Sequence, residues 1–104
     1  MTETVNAAEL SEAIVWGLSH GSPPGAPIIS EERMAAHYGA ARTEVLLGAI
    51  RPLLNEAGNM AVDWHALDWQ QAGDFVRDEM KRRHPGLSDE ALGMLRGFFM
   101  FQTR

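Results

Sequence analysis

The chain has 104 residues, 45% of them hydrophobic, no cysteine and a net charge of −5. The length suits one domain spanning residues 1–104, since domains run to roughly 100–150 residues, and the apolar content excludes wholesale disorder. Lack of cysteine rules out disulfides, thiolate metal sites and cysteine nucleophiles, and the acidic first third (Glu3, Glu9, Glu12, Glu31 and Glu32 precede the first base, Arg33) disfavours a general nucleic-acid surface.

Met1 to Glu12 has no basic residue and no long apolar run, so it does not read as a secretory signal. The run Phe98-Phe99-Met100-Phe101 is far too short to span a bilayer. These features make the cytoplasm the expected location, with no membrane contact. Asn6 followed by Glu9 resembles a capping box, and Ala7, Leu10, Ile14, Gly17 and Leu18 recur on one face of a first helix. Gly21 is expected to end it by taking the left-handed conformation. The turn-rich segment 21–27 holds three prolines, which deny it helical amide donors.

Ser30 opens a second helix, with Glu31 and Glu32 complementing its dipole, and Gly39 ends it. A third helix is expected from about Arg42 to Ala57, ended by Gly58 and carrying Val45, Leu46, Ala49, Ile50, Leu53 and Leu54. Pro52 falls inside it, either kinking one helix or starting another. Asp68 and Gln71 form a second capping box. It opens a fourth helix with Trp69, Ala72, Val76 and Met80 on one face. The pairs Asp78–Arg82 and Glu79–Arg83 have the spacing of helix-surface ion pairs. His84-Pro85-Gly86 stops that helix, and Ser88 caps a fifth that runs almost to the C-terminus. The expected architecture is all-α, a small orthogonal bundle of about five helices.

The sequence carries no recognisable catalytic motif. None of His20, His37, His65 and His84 stands three or four residues from another, so no metal site is expected. No phosphate loop, nucleophile elbow or dinucleotide fingerprint occurs, and no cofactor is implied. Asp63, Asp68 and Asp74 flank Trp64 and Trp69, but a helix cap and ordinary packing account for them.

Apolar residues off the core stripes carry more information. Trp16 points away from the first helix's stripe, beside Glu9 and Glu12, and Phe75 lies off the fourth. In the fifth helix Leu92, Met94, Leu95, Phe98, Phe99 and Phe101 cover about half the circumference and Met100 faces the other half. A surface helix needs an apolar arc of only about 100°. Either the fifth helix is central, or it presents a docking patch. On the second reading Trp16, Phe99 and Met100 are the candidate partner-binding residues. Phe98, from its stripe position, is expected to be buried.

Pro24-Gly25, Ile28, Ser30-Glu31, Met34-Ala35-Ala36, Tyr38-Gly39, Arg42-Thr43 and Val45 resemble the helix-turn-helix of GntR-type transcription regulators, in the same register. The resemblance implies a DNA-binding corner with Arg42 and Thr43 toward DNA. The chain departs from that pattern at Ala41, at Leu46 and Leu47, where the family faces DNA with polar residues, and at Pro52. Its segment 30–57 is not basic. Val62-Asp63-Trp64, Ala72-Gly73 and His84 to Leu92, with the terminal aromatics and Arg104, are similar to small uncharacterised actinobacterial proteins. That likeness implies a compact helical domain and no site residues. The function expected from the sequence is a non-enzymatic interaction module, such as a regulator, an immunity-type protein or an assembly subunit. It would bind a protein partner or a second copy of itself. A helix-turn-helix DNA-binding regulator is the alternative.

Overall fold

Five helices form in the computed structural model, which describes residues 5–23 and 26–103: α1 (Ala7–Ser19), α2 (Glu31–Tyr38), α3 (Ala40–Gly58), α4 (Trp69–Arg83) and α5 (Asp89–Gln102). Among the described residues there is no strand. The protein is an all-α bundle.

Four of the helices begin at a side chain that accepts an otherwise orphaned amide. Asn6 Oδ1 accepts from Glu9 N at 2.8 Å, Ser30 Oγ from Arg33 N at 3.3 Å, Asp68 Oδ1 from Gln71 N at 2.8 Å, and Ser88 Oγ from Ala91 N at 3.1 Å. The box at α4 is complete, because Asp68 N donates back to Gln71 Oε1 at 3.0 Å. The expected box at α1 is half made. The Glu9 carboxylate pairs instead with Arg42 of α3, trading a local bond for a tie between helices.

The stops are less uniform. Gly39 alone links α2 to α3, at φ +87°, a conformation that disfavours any side chain. Gly21 does not take the left-handed conformation expected of it; α1 closes on His20 with φ −110°. Its glycine is required by space. A Cβ there would lie 2.2 Å from the Ala26 carbonyl oxygen and 2.3 Å from that of Ile28, where the chain folds back on itself. Pro24 and Gly25 of that turn lie outside the described residues. Pro52 does not start a new helix, since α3 runs through it as one helix. Pro52 and Gly48, whose carbonyl loses its donor, are both exposed, so water can satisfy the orphan.

The core explains why α5 is so apolar. It packs against α1, α3 and α4, while α2 packs on α3. Ile14, Met34, Leu46, Ile50, Val76, Met80, Leu92, Leu95 and Phe99 are fully buried in one cluster. α4 and α5 approach closely at Gly73, where a Cβ would come within 2.9 Å of Met100 Sδ. Arg96 Nε donates to Asp74 Oδ1 at 2.9 Å beside that contact. Trp69 leaves the face it was expected to share with Ala72, Val76 and Met80. It is exposed, and its Nε1 donates to Thr103 Oγ1 at 3.3 Å, tying the ends of α4 and α5 together.

Carboxylates of α3 and α4 collect the cations at the end of α4. Arg82 bonds Glu79, three residues back, and not Asp78 as its spacing implied. Arg83 Nε also reaches Glu79, at 3.0 Å. The two guanidiniums hold the Glu79 carboxyl down at about 2. Glu56 of α3 accepts from Arg83 at 2.9 Å and from His84 at 2.6 Å, and these bonds lower its pKa from the ordinary 4.5. Because the folded value is depressed, the pairing stabilises the fold above about pH 4.5 and is lost as pH falls through the lower folded value.

Phe99→Ala is expected to cost about 3–5 kcal/mol in denaturant unfolding. Phe98 is only half-buried, contrary to its stripe position, so Phe98→Ala should cost clearly less; Ser88→Ala should cost about 1 kcal/mol. Glu56→Gln is expected to cost about 1–2 kcal/mol at neutral pH. That deficit should shrink steadily in urea titrations run below pH 4.5.

Candidate functional site: a groove along α1

Helix α1 is buried on one side only. Ala13, Ile14, Gly17 and Leu18 face the core. The opposite side, from Ala7 to His20, lines a groove of about 750 Å³ together with Gly86, Ser88 and Glu90. That volume falls in the range of about 300–1,000 Å³ typical of ligand clefts.

The groove exists because the α4–α5 turn passes the start of α1. Ser88 N donates to Ser11 Oγ at 2.9 Å, which gives the buried Ser11 hydroxyl a partner. Gly86 lies so close to α1 that a Cβ on it would come within 2.9 Å of Ala7 Cβ. The floor is therefore made of small side chains: Ala7, Ala8, Ser11 and Ser19 with Gly86 and Ser88. Val15 and Trp16 supply its bulky apolar surface, and Glu12 and Glu90 its charge.

Trp16 is held in place by two imidazoles. His20 stacks on it with ring centroids 4.2 Å apart and planes 14° from parallel; His37 of α2 stacks at 4.3 Å and 13°. Tyr38 meets it edge-on at 5.9 Å. His20 is itself fixed, its Nδ1 lying 2.8 Å from the Trp16 carbonyl oxygen. The Tyr38 hydroxyl is buried without a hydrogen-bond partner, and burial, followed by the nearby Glu12 and Glu9 carboxylates, raises its pKa. Beyond Trp16, Arg33, Ala36 and the two histidines surround a smaller depression of about 330 Å³. Arg33 there donates to the carbonyls of His20 and Gly21, at 3.4 Å each.

Of the three side chains expected to meet a partner, the structure brings only Trp16 to this groove. Phe99 is a correction: it is 1% exposed, packed in the core under Trp64, whose ring lies parallel to it at 6.1 Å. Its place on α5 faces the other helices. Met100 is half-buried and fills the notch at Gly73, so it too is used within the chain. The off-stripe Phe75 is exposed, on α4 and away from the groove.

The two residues assigned to DNA in the alternative reading are turned to other uses. Arg42 is ion-paired with Glu9, and Thr43 is 4% exposed. Leu46 and Leu47 are buried as well. The α2–α3 link is a single residue, where DNA-binding corners use a turn of three to four.

Sequence reasoning missed the histidine stack and the groove floor. His20 is four residues from Trp16 and so legible on a helix, but nothing in the sequence brings His37 to the same ring. Gly86 and Ser88 reach α1 only through the fold. Among the described residues no group of three or more His, Asp or Glu side chains is placed to hold a metal ion, and no helix is long and apolar enough to cross a membrane. No known protein family, curated protein or solved structure matches the chain.

The α2–α3 corner yields an expected outcome. In gel shifts against genomic fragments at near-physiological salt, the protein should not retain DNA in a sequence-selective way. Selective binding that disappears on Arg42→Ala would reverse that expectation.

Proposed function

We propose that this protein is a non-enzymatic interaction module and that its docking surface is the groove along α1. The observation that carries this reading is the groove's combination of size, small-residue floor and a fixed tryptophan. Tryptophan is among the residues that dominate interface energies, and Trp16, stacked against His20 and His37, would act as a fixed wall for a partner's side chains to pack on. A ring already clamped between neighbours loses little further freedom on binding, which favours affinity. An open, largely apolar cleft with such an anchor fits a protein ligand that brings its own bulky side chains.

The test is site-specific photo-crosslinking in cells. A photoreactive residue at Ala8 or Ser19, inside the groove, should give discrete adducts. The same residue at Gln70, on α4 and outside the groove, should not. Trp16→Ala should reduce the groove adducts, since hot-spot truncation typically costs about 2 kcal/mol or more. Equal adducts from both surfaces, or none from the groove, would remove the proposal's support.

A further inference from the structure

We propose that the groove along α1 takes an amphipathic helix with cationic flanks, supplied by a different protein rather than by a second copy of this chain. The inference rests on the docking reading above and names the occupant's chemistry.

Charge is the first argument. Among the described residues no lysine or arginine lines the groove, whereas Glu12, on α1, and Glu90, on α5, do. Among the described residues neither carboxylate has a salt-bridge partner, while Glu9, Glu31, Glu56, Glu79, Asp74 and Asp89 each hold a cation of the chain. Glu12 and Glu90 are exposed. A ligand with positive flanks gives each of them the counter-charge the fold withholds. Such complementarity selects partners and speeds their encounter.

Shape is the second argument. The α1 floor is a helix of 13 residues, so it is about 20 Å long. Its small side chains let another backbone approach closely, as a helix laid along it would. Such ligands anchor through apolar residues at helical spacing. Val15 and Trp16 are the apolar surface those anchors would meet.

A second copy is poorly matched. Pairing α1 with α1 about a twofold axis would set like carboxylates of the two Glu12 side chains against each other. The chain's own cationic helix is α4, but Ala72, Val76 and Met80 are buried, its exposed Trp69 and Phe75 stand six residues apart and so off a common helix face, and Lys81, Arg82 and Arg83 already hold Asp89, Glu79 and Glu56. An anionic lipid surface is mismatched for the same reason of sign.

The experiment uses peptides of about 14 residues, long enough to follow α1. Three share one leucine face and carry lysine, glutamine or glutamate on the flanks; a fourth is the lysine peptide scrambled to destroy its apolar face. Binding to the full chain is read by anisotropy of labelled peptide, at low and high salt. Sedimentation with phosphatidylserine vesicles runs in parallel. The lysine peptide is expected to bind at least about tenfold tighter than the glutamate peptide, with a preference that falls as salt rises. That preference should vanish in the E12Q/E90Q double variant, whose thermal midpoint checks its folding, while the glutamine peptide binds as before. Ala8→Phe, at an exposed position, should weaken every helical peptide by filling the floor.

Equal binding of the lysine, glutamine and glutamate peptides, blocked by Ala8→Phe, would overturn the cationic occupant and leave the docking reading standing. Binding of the scrambled lysine peptide as tightly as its parent would overturn the helical occupant. Vesicle binding, or a concentration-dependent dimer, that is abolished by Ala8→Phe would replace the occupant altogether. No binding by any peptide overturns this inference; if the groove also gives no crosslinks, the docking reading fails with it.

Discussion

Leu92, Leu95 and Phe99 line one side of α5, and Met94, Phe98 and Met100 are half-buried around them, so this helix shows water little more than the strip of Glu90, Gly93 and Gly97. The apolar side chains of a domain this small must find cover from the few other elements available. Three helices surround α5, and Trp64, from the irregular segment before α4, covers Phe99. Most of the remaining architecture answers to this requirement. Gly73 lets α4 come close enough for Met100, and Arg96 bridges to Asp74 alongside it. Thr103 holds the end of α5 to Trp69.

Using α1 as one wall of that enclosure leaves its other side outside. The α4–α5 turn must pass the start of α1 to deliver α5 into the centre, and the Ser88–Ser11 bond fixes where it passes. The groove is thus a by-product of how the most apolar helix is buried. Its apolar and acidic lining is not required by that burial. Trp16 contributes to the core only at its edge, and its ring is oriented by His20 and His37.

The charge pattern has the same two-level character. The chain is acidic at its N-terminal end by composition, and the fold then spends its cations unevenly. Arg42 neutralises Glu9 within the α1–α3 contact, and the cluster of bases ending α4 is drawn onto Glu56, Glu79 and Asp89. Glu12 and Glu90 are left facing the groove. A reading from composition alone sees an acidic segment, whereas the fold decides which of its carboxylates remains available.

Local chemistry was legible in the sequence. Four N-caps, the Asp68–Gln71 box and the Gly39 turn depend on residues within a few positions of one another, so residue type and spacing suffice to place them. The five-helix, all-α character followed from the same signals. Burial was not legible to the same degree. Phe98 and Phe99 are neighbours in the chain, and periodicity favoured the wrong one for the core because α5 is covered from several directions at once. Trp16 was recognisable as a side chain off its helix's core face. That it would be clamped by His37, and that Gly86 and Ser88 would join α1 in the groove floor, depended on contacts between distant segments. Helix formation is decided by neighbours in sequence, whereas a groove is decided by neighbours in space, and only the tertiary packing around α5 brought these together.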